Sequence, residues 1–418
     1  MTESILRTAE RVWTGEAQLA ELAGHSAMSP PEEVADGVFM VPGFSHAFAV
    51  RHDEGLLLFD TGSAMLADNL HRAVRGWSDA PVTHAVFSHG HADHVFGLGP
   101  FEAAGDRPVV VAHQNVAKRF DRYVRTNGYN GVINRRQFQL PDLTWPSEFR
   151  RPDVTFTDAH RIEVGGLALE LTHHRGETDD HAVGWLPDRK ILFPGDLFIG
   201  LAPNAGNPQK VQRFPEEWAV ALRWMASLGA ELMLGSHGVP VVGADRIREV
   251  LENSAAYLES LVEQTLACLN EGATLVDTLH RVQVPDELAG LHYLQPLYDE
   301  PEFVVRNVWR LYAGWYDGNP AHLKPATDAA LAAELAGLCG GAEALAERAT
   351  ALAAEGSLRL ACHVAQLAGD AAPDSAVVQR ARKQVYASRA AAELSTMSKG
   401  IFSWAETESD TALAKLTG

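Results

Sequence analysis

An α/β fold, with sheets covered by helices and an all-α domain following, is what this chain of 418 residues predicts from two features of its patterning. Up to about residue 243, short runs alternate apolar with polar residues, are rich in β-branched types, and are parted by turns containing Gly, Pro and Asp. A period of two marks a strand with one buried face. Beyond that point apolar residues recur three and four apart, the period of a helix with one apolar side. Elements apolar on one side must bury that side against another layer.

Taken in order, strands are predicted at 37–41, 47–50, 56–59, 84–88, 109–112, 161–164, 167–171, 182–186 and 191–193, with helices at about 64–76, 114–125 and 215–227 between them. In the second half, 246–271 keeps helical spacing and stops at Gly272, a residue suited to the left-handed turn that ends helices. The spacing returns over 299–315 and breaks at Asp317, Gly318, Asn319 and Pro320. From 328 to about 393 the chain is rich in Ala, Leu and Glu, and 342–355 with 357–368 form a helix–turn–helix joined at Gly356. The change of texture places one domain at 1–245 and an all-α domain at 246–418.

Composition narrows the functions. Apolar residues make up 46% and charged residues 21%, an ordinary globular balance. Cys268, Cys339 and Cys362 are scattered and lack metal-type spacing, which fits a reducing compartment and the cytoplasm. Residues 1–20 contain no apolar run of signal type, and no stretch approaches the roughly 20 apolar residues of a membrane span. A net charge of −19 opposes nucleic acid as a partner. An anionic small molecule remains compatible, because metal ions and a local Arg outweigh distant surface charge.

The chemistry concentrates in 82–94, where a buried strand runs into His89, Gly90, His91, Ala92, Asp93 and His94. This spacing lets His89 and His91 face one metal while Asp93 and His94 face a second. Imidazole with carboxylate suits two Zn2+, and iron or manganese as well. The pattern His-x-His-x-Asp-His resembles the hallmark of the metallo-β-lactamase superfamily. Further marks follow in order: Leu58-Phe59-Asp60-Thr61-Gly62, whose Asp orients the metal loop; Gly176-Glu177 ahead of Trp185-Leu186-Pro187; Leu192-Phe193-Pro194-Gly195-Asp196 with a bridging carboxylate; and Gly235-Ser236-His237-Gly238 with a last His ligand. The resemblance covers roughly 35–240 and implies an αββα sandwich.

Where that superfamily usually places a His before Trp185, this chain has Glu177. That substitution resembles the alkyl sulfatase branch, as does Val305-Arg306-Asn307-Val308-Trp309-Arg310 with Gly314-Trp315-Tyr316-Asp317, which looks like its dimerisation domain. The sterol-carrier-like third domain of that branch is expected to be missing. Implied metal ligands are His89, His91, Asp93, His94, Glu177, Asp196 and His237. His181 competes with Glu177, with His173 and His174 behind it; these histidines otherwise serve beside the ligands or as a leaving-group acid. Two divalent cations bring about +4 against −3 from Glu177, Asp93 and Asp196, so a bridging hydroxide leaves the cluster near neutral.

The resemblance implies hydrolysis of a small-molecule ester, an alkyl sulfate-type ester first, by a metal-bridging hydroxide oriented by Asp93 and Asp196, with His181 as a further catalytic residue. Candidate substrate contacts are Arg175, Asn204, Arg213, Tyr298 and Arg306. The stretch 197–208 has Asn204 and Asn207 but lacks the His of sulfate-ester enzymes, and Asp299 and Glu300 oppose a sulfate unless they point away. Other readings are a carboxylic ester, lactone, thioester or β-lactam hydrolase, an iron-dependent oxidoreductase, and a metal-stabilised scaffold. The stripe of Trp309, Tyr312, Trp315 and Tyr316 packs against the catalytic domain or a partner, and a homodimer is expected. His25, His52, His71, His280 and His363 are assigned to surface or packing.

Overall fold

The computed structural model describes residues 4–17 and 29–417, so His25 lies outside the described residues. These fall into two compact units, one within Met1–Asn127 and Pro146–Gly314, the other within Gly128–Trp145 and Trp315–Gly418.

The first unit is built on two sheets. Strands β1 (Glu32–Ala35), β2 (Val38–Val41), β3 (Ala47–His52), β4 (Gly55–Phe59), β5 (Val82–Phe87), β6 (Val109–His113) and β7 (Val154–Phe156) lie side by side in that order. The second sheet contains β8 (Ala159–Val164), β9 (Leu167–His173), β10 (Ala182–Leu186), β11 (Ile191–Gly195), β12 (Leu232–Gly235) and β13 (Val241–Val242), ordered β13-β12-β11-β10-β9-β8. Pleat alternation decides which core each residue joins. Leu57, Phe59, Val86, Leu169, Leu171 and Phe193 fill the space between the sheets. Their neighbours Leu56, Leu58, Ala85 and Phe87 face outward onto Leu70, Val74, Phe101 and Phe120 of covering helices. A Cβ on Gly184 would stand 2.5 Å from the Phe59 ring, so the close approach of the sheets requires glycine there.

The helices that cover the second sheet show why the texture change near 243 is not the end of this unit. Helices Pro215–Ser227, Ala244–Asn270 and Pro301–Ala313 share one core through Leu222, Met225, Leu251, Leu258, Val304 and Val308. Sequence texture records where strands stop; the compact unit continues to Gly314.

The αββα order has one consequence for chemistry. Strands β4 and β5 run parallel, as do β11 and β12. The segments leaving their C-terminal ends therefore emerge at one rim, where they carry Asp60, the 89–94 loop, Asp196 and His237.

The second unit is helical: Asp328–Leu338, Ala342–Ala354, Leu358–Ala371, Ala376–Ala392 and Thr396–Thr417, joined by most of Asn127–Phe138. Thr327 and Ser375 cap two of these helices, accepting from the amides of Ala330 and Val378. Gln139 donates to the carbonyl of Gly400 at 2.7 Å, and a Cβ on Gly400 would stand 2.3 Å from the carbonyl oxygen of Gln137. No single helix among the described residues is long and apolar enough to cross a membrane.

Candidate metal centre

Asp60 organises the rim. Its backbone takes the left-handed conformation at φ 54°, and its carboxylate is fully buried. It accepts from the Ser88 amide at 2.7 Å, the Ser88 hydroxyl at 2.8 Å, the Ser236 hydroxyl at 2.9 Å and His94 Nδ1 at 2.8 Å. Three residues are thereby tied to one side chain, and His94 Nε2 is turned toward the opening. Ser88 Oγ stands 3.0 Å from His89 Nδ1 and fixes the second ring in the same way.

Two groups of ligand atoms converge there. His89, His91, Glu177 and Asp196 form one; Asp93, His94 and His237 form the other. In the first, Glu177 Oε2 lies 3.3 Å from His91 Nδ1 and 3.5 Å from His89 Nε2, and Asp196 Oδ2 lies 3.7 Å from His89 Nε2. In the second, Asp93 Oδ2 is 3.6 Å from both His94 Nε2 and His237 Nε2. The other oxygen of Asp196, Oδ1, is 3.4 Å from His94 Nε2 and 3.3 Å from His237 Nε2. Asp196 thus gives one oxygen to each group.

These separations fit a divalent cation. Ligands about 2.0–2.1 Å from zinc in a tetrahedron stand roughly 3.3 Å apart. His89 Nε2 and His91 Nδ1 are closer, at 2.8 Å. Glu177 Oε2, His94 Nε2 and Asp196 Oδ1 are buried without a hydrogen-bond partner, a costly state that a cation relieves. Burial would lower His94, but Asp196, Asp93 and Asp60 raise it well above the ordinary imidazole value. Burial would raise Asp196, but His94 and His237 hold it well below the ordinary carboxylate value. A divalent cation displaces the imidazole proton.

Glu177 is clamped at its far oxygen. Asn204 Nδ2 and Arg213 Nη1 each lie 2.6 Å from Oε1, and Arg213 also donates to the Glu177 carbonyl at 3.1 Å. Burial would raise this carboxyl, yet Arg213 and His91 hold it down at about 2. On the other flank Asp180 accepts from the Gly90 amide at 3.2 Å and from Arg119 Nε at 2.6 Å. A Cβ at Gly90 would meet Arg119 Cδ at 2.9 Å and Asp180 at 3.1 Å, which explains the glycine between two ligand histidines.

Several of the expected site residues stand outside the two groups of ligand atoms. His181 does not join the converging atoms: its Nε2 accepts from the Asp196 amide at 3.1 Å. Burial pushes the ring down to about 4, and through Nε2 it holds the Asp196 backbone from outside the two groups of converging atoms. His173 donates from Nδ1 to the His181 carbonyl at 2.8 Å and stacks on His113, while His174 lies beside Trp224. Arg175 is exposed, stacked on Phe214 and paired with Glu217 at 2.9 Å. Asn204 and Arg213 reach the site but are committed to Glu177. Arg306 is exposed on Pro301–Ala313, and Tyr298 is half-buried just before that helix.

Sequence reading also missed residues. Ser45, Ser88, Ser236, Arg119 and Asp180 act through hydrogen bonds that join distant segments. His46 lies 2.9 Å from the Gly238 carbonyl and its amide donates to the Ser236 carbonyl, propping the loop that bears His237. Burial pushes the Lys210 ammonium down to about 8, with Arg213 adding to it, while Asp93 and Glu177 act the other way. A single Lys in 204–210 offers no periodic signal; only the fold brings it into the field of the ligand carboxylates.

Comparison with known proteins divides the chain between 237 and 274, beside the change of sequence texture and ahead of the structural division at Gly314. Residues 40–237 match the model described as metallo-beta-lactamase superfamily, and 274–411 that described as alkyl sulfatase dimerisation. A linear primary-alkylsulfatase of Pseudomonas sp. (strain ATCC 19151) is 27% identical over 328 residues, 70% of this chain and 60% of that protein. The (R)-specific secondary-alkylsulfatase of Pseudomonas sp. is 25% identical over 384 residues, 83% of this chain and 56% of the other. The chain thus spans little more than half the length of these relatives. The solved stereoselective inverting sec-alkylsulfatase Pisa1 from Pseudomonas sp. superposes with a TM-score of 0.84 at 21% identity, over 94% of this chain and 67% of that one, a likeness of fold.

Proposed function

We propose that this chain, which carries a metallo-beta-lactamase superfamily domain followed by an alkyl sulfatase dimerisation domain, is a metal-dependent hydrolase of alkyl sulfate-type esters. The observation that carries the reading is Glu177 beside His89 and His91, held there by Asn204 and Arg213. The two groups of ligand atoms would hold two divalent cations, His89, His91, Glu177 and Asp196 one, Asp93, His94, His237 and Asp196 the other. The imidazole and carboxylate donors favour zinc, with iron and manganese as competitors. Such a pair, when bound, brings the pKa of water toward neutrality and polarises an ester oxygen.

The residues of the chain supply the remainder. Asp93 and Asp196 present oxygens at the opening and orient the attacking water by accepting from it. Lys210, in the field of both Asp93 and Glu177, attracts the sulfate group and draws an anion toward a carboxylate-rich site. The three carboxylates spread over two clusters keep the loaded site close to neutral.

A homodimer is part of this reading, on the matched dimerisation domain and on Trp315 and Leu338, which are 71% and 76% exposed. Sedimentation as a single monomeric species at micromolar concentration removes it. A cytoplasmic site of action agrees with three unpaired cysteines; growth-phase fractionation with the activity in the medium contradicts it.

The decisive experiment incubates metal-loaded protein with sulfate, phosphate and carboxylate esters, a lactone, a thioester and a β-lactam, with metal content determined in parallel. Release of sulfate from an alkyl sulfate, abolished by Asp196→Ala, is the expected result. Turnover confined to a non-sulfate substrate, or iron with redox turnover only, overturns the reading.

A further inference from the structure

Both partners of Glu177 Oε1 are themselves held from one place, the segment 299–307 at the start of helix Pro301–Ala313. Asp299 is fully buried and accepts from the amides of Gly206 at 2.5 Å and Asn207 at 3.2 Å. This anchors the loop that carries Asn204. The loop sits on the helix start so closely that a Cβ at Gly206 would stand 2.2 Å from the Phe303 carbonyl carbon. Asn307, also buried, pairs reciprocally with the backbone of Arg213: Oδ1 accepts from its amide at 3.2 Å and Nδ2 donates to its carbonyl at 2.9 Å. Gln212 adds bonds to the Asn307 carbonyl at 3.0 Å and side-chain oxygen at 3.1 Å.

We infer that Asp299 and Asn307 are positioning residues for the metal ligand Glu177: by seating Asn204 and Arg213 they occupy its Oε1 and leave Oε2 for the cation. The inference rests on the metal-hydrolase reading above. It accounts for an acidic residue that sequence alone set against an anionic substrate, since the Asp299 side chain points inward to two backbone amides. It also gives the segment 299–307, part of the span matched as alkyl sulfatase dimerisation, a task at the catalytic centre. An unclamped Glu177 would be free to rotate and offer either oxygen, and ligands held by hydrogen-bonded partners lose affinity when those partners go.

The test uses the full chain, stripped of metal, titrated with Zn2+ against a competing chelator. The intact protein is expected to bind two ions. Asp299→Ala and Asn307→Ala should each weaken one of the two by about 10–100-fold and leave the other within about twofold. Asp299→Asn, which keeps an acceptor oxygen, should restore most of the loss. Asn307→Asp keeps the acceptor for the Arg213 amide and serves where Asn307→Ala does not fold, as judged by circular dichroism. A general loosening of the fold weakens both sites together, so equal weakening overturns the inference, as does full affinity for both ions. Absence of metal binding by the intact protein fells the hydrolase reading and the inference with it. Two tight ions in every variant fells the inference alone.

Discussion

Glu177 and Arg213 meet at 2.6 Å with each side chain only 2% exposed, so a carboxylate and a guanidinium are spent on each other inside the protein. Such a pair is weak evidence for stability, because both ions lose water. Its effect is to fix which oxygen faces His89 and His91. Removing one partner is a different matter, since the survivor is left as a lone buried charge. Arg213→Leu should destabilise the metal-free protein by about 3–5 kcal/mol. Zinc should recover part of that loss, because a cation at Oε2 compensates the same carboxylate. Urea unfolding with and without Zn2+ measures both; a variant as stable as the parent shows that the pair does not neutralise Glu177.

Asp60 offers two oxygens to four donors from three residues. Asp60→Asn replaces one oxygen by a donor, which faces Ser88, Ser236 or His94 donor to donor. The His94 ring then loses its fixed tautomer, and the Asp93–His94–His237 ion should bind about 10–100-fold more weakly. Competition against a chelator reads this out, and unchanged affinity for both ions discards the orienting role.

The ligand loop was legible because its chemistry is local: His89, His91, Asp93 and His94 lie within one turn of chain after a strand whose alternation is plain. Glu177, Asp196 and His237 were legible through motifs that also sit at strand ends. The strands Glu32–Ala35, Val154–Phe156, Leu232–Gly235 and Val241–Val242 were not predicted: the first buries a single residue, the third is buried throughout, and neither shows alternation. Helix Asn127–Phe138 escaped because Asn127, Gly128, Asn130 and Gly131 are poor helix formers without apolar periodicity. Its support comes from Gly400, far along the chain. The hydrogen bonds of Asn204 and Arg213 to Glu177, and of Asp299 to the Gly206 and Asn207 amides, join segments far apart in the chain and leave no local pattern in the sequence.

Asp299 gives a pH signature. Burial pushes its carboxyl up to about 7, from an ordinary value of 3.8, against the pull of the Gly206 amide and Arg213. The folded state therefore holds a proton that the unfolded chain has released between those values. Stability contributed by this group is full below about pH 4 and is lost as pH rises through about 7, on the order of 4 kcal/mol at about 1.4 kcal/mol per unit. Other carboxylates have the opposite slope, so the informative quantity is the difference between parent and Asp299→Asn in chelator-treated protein. That difference should shift in favour of the variant as pH climbs from 4 to 7. A constant difference means that Asp299 is ionised throughout.

Lys210 provides the sharpest test of how an anionic ester reaches a site ringed by Asp93, Glu177 and Asp196. Lys210→Met keeps the apolar stem and removes the charge, so packing is largely preserved. A hydrogen bond to a charged group is worth about 1.5–3 kcal/mol, so KM for an alkyl sulfate should rise about 10–100-fold. If the ammonium binds the sulfate equally in ground and transition states, kcat stays within a few-fold of the parent. The proton on Lys210 adds an independent check. Burial pushes this ammonium down to about 8 and bound cations act in the same direction, so the KM of the parent should climb with rising pH as the charge is lost, and the variant should show no such climb. A neutral carboxylic ester, lacking the anion, should be indifferent to the substitution. Equal losses for charged and neutral esters would mean that Lys210 supports the shape of the cleft and has no part in choosing its substrate.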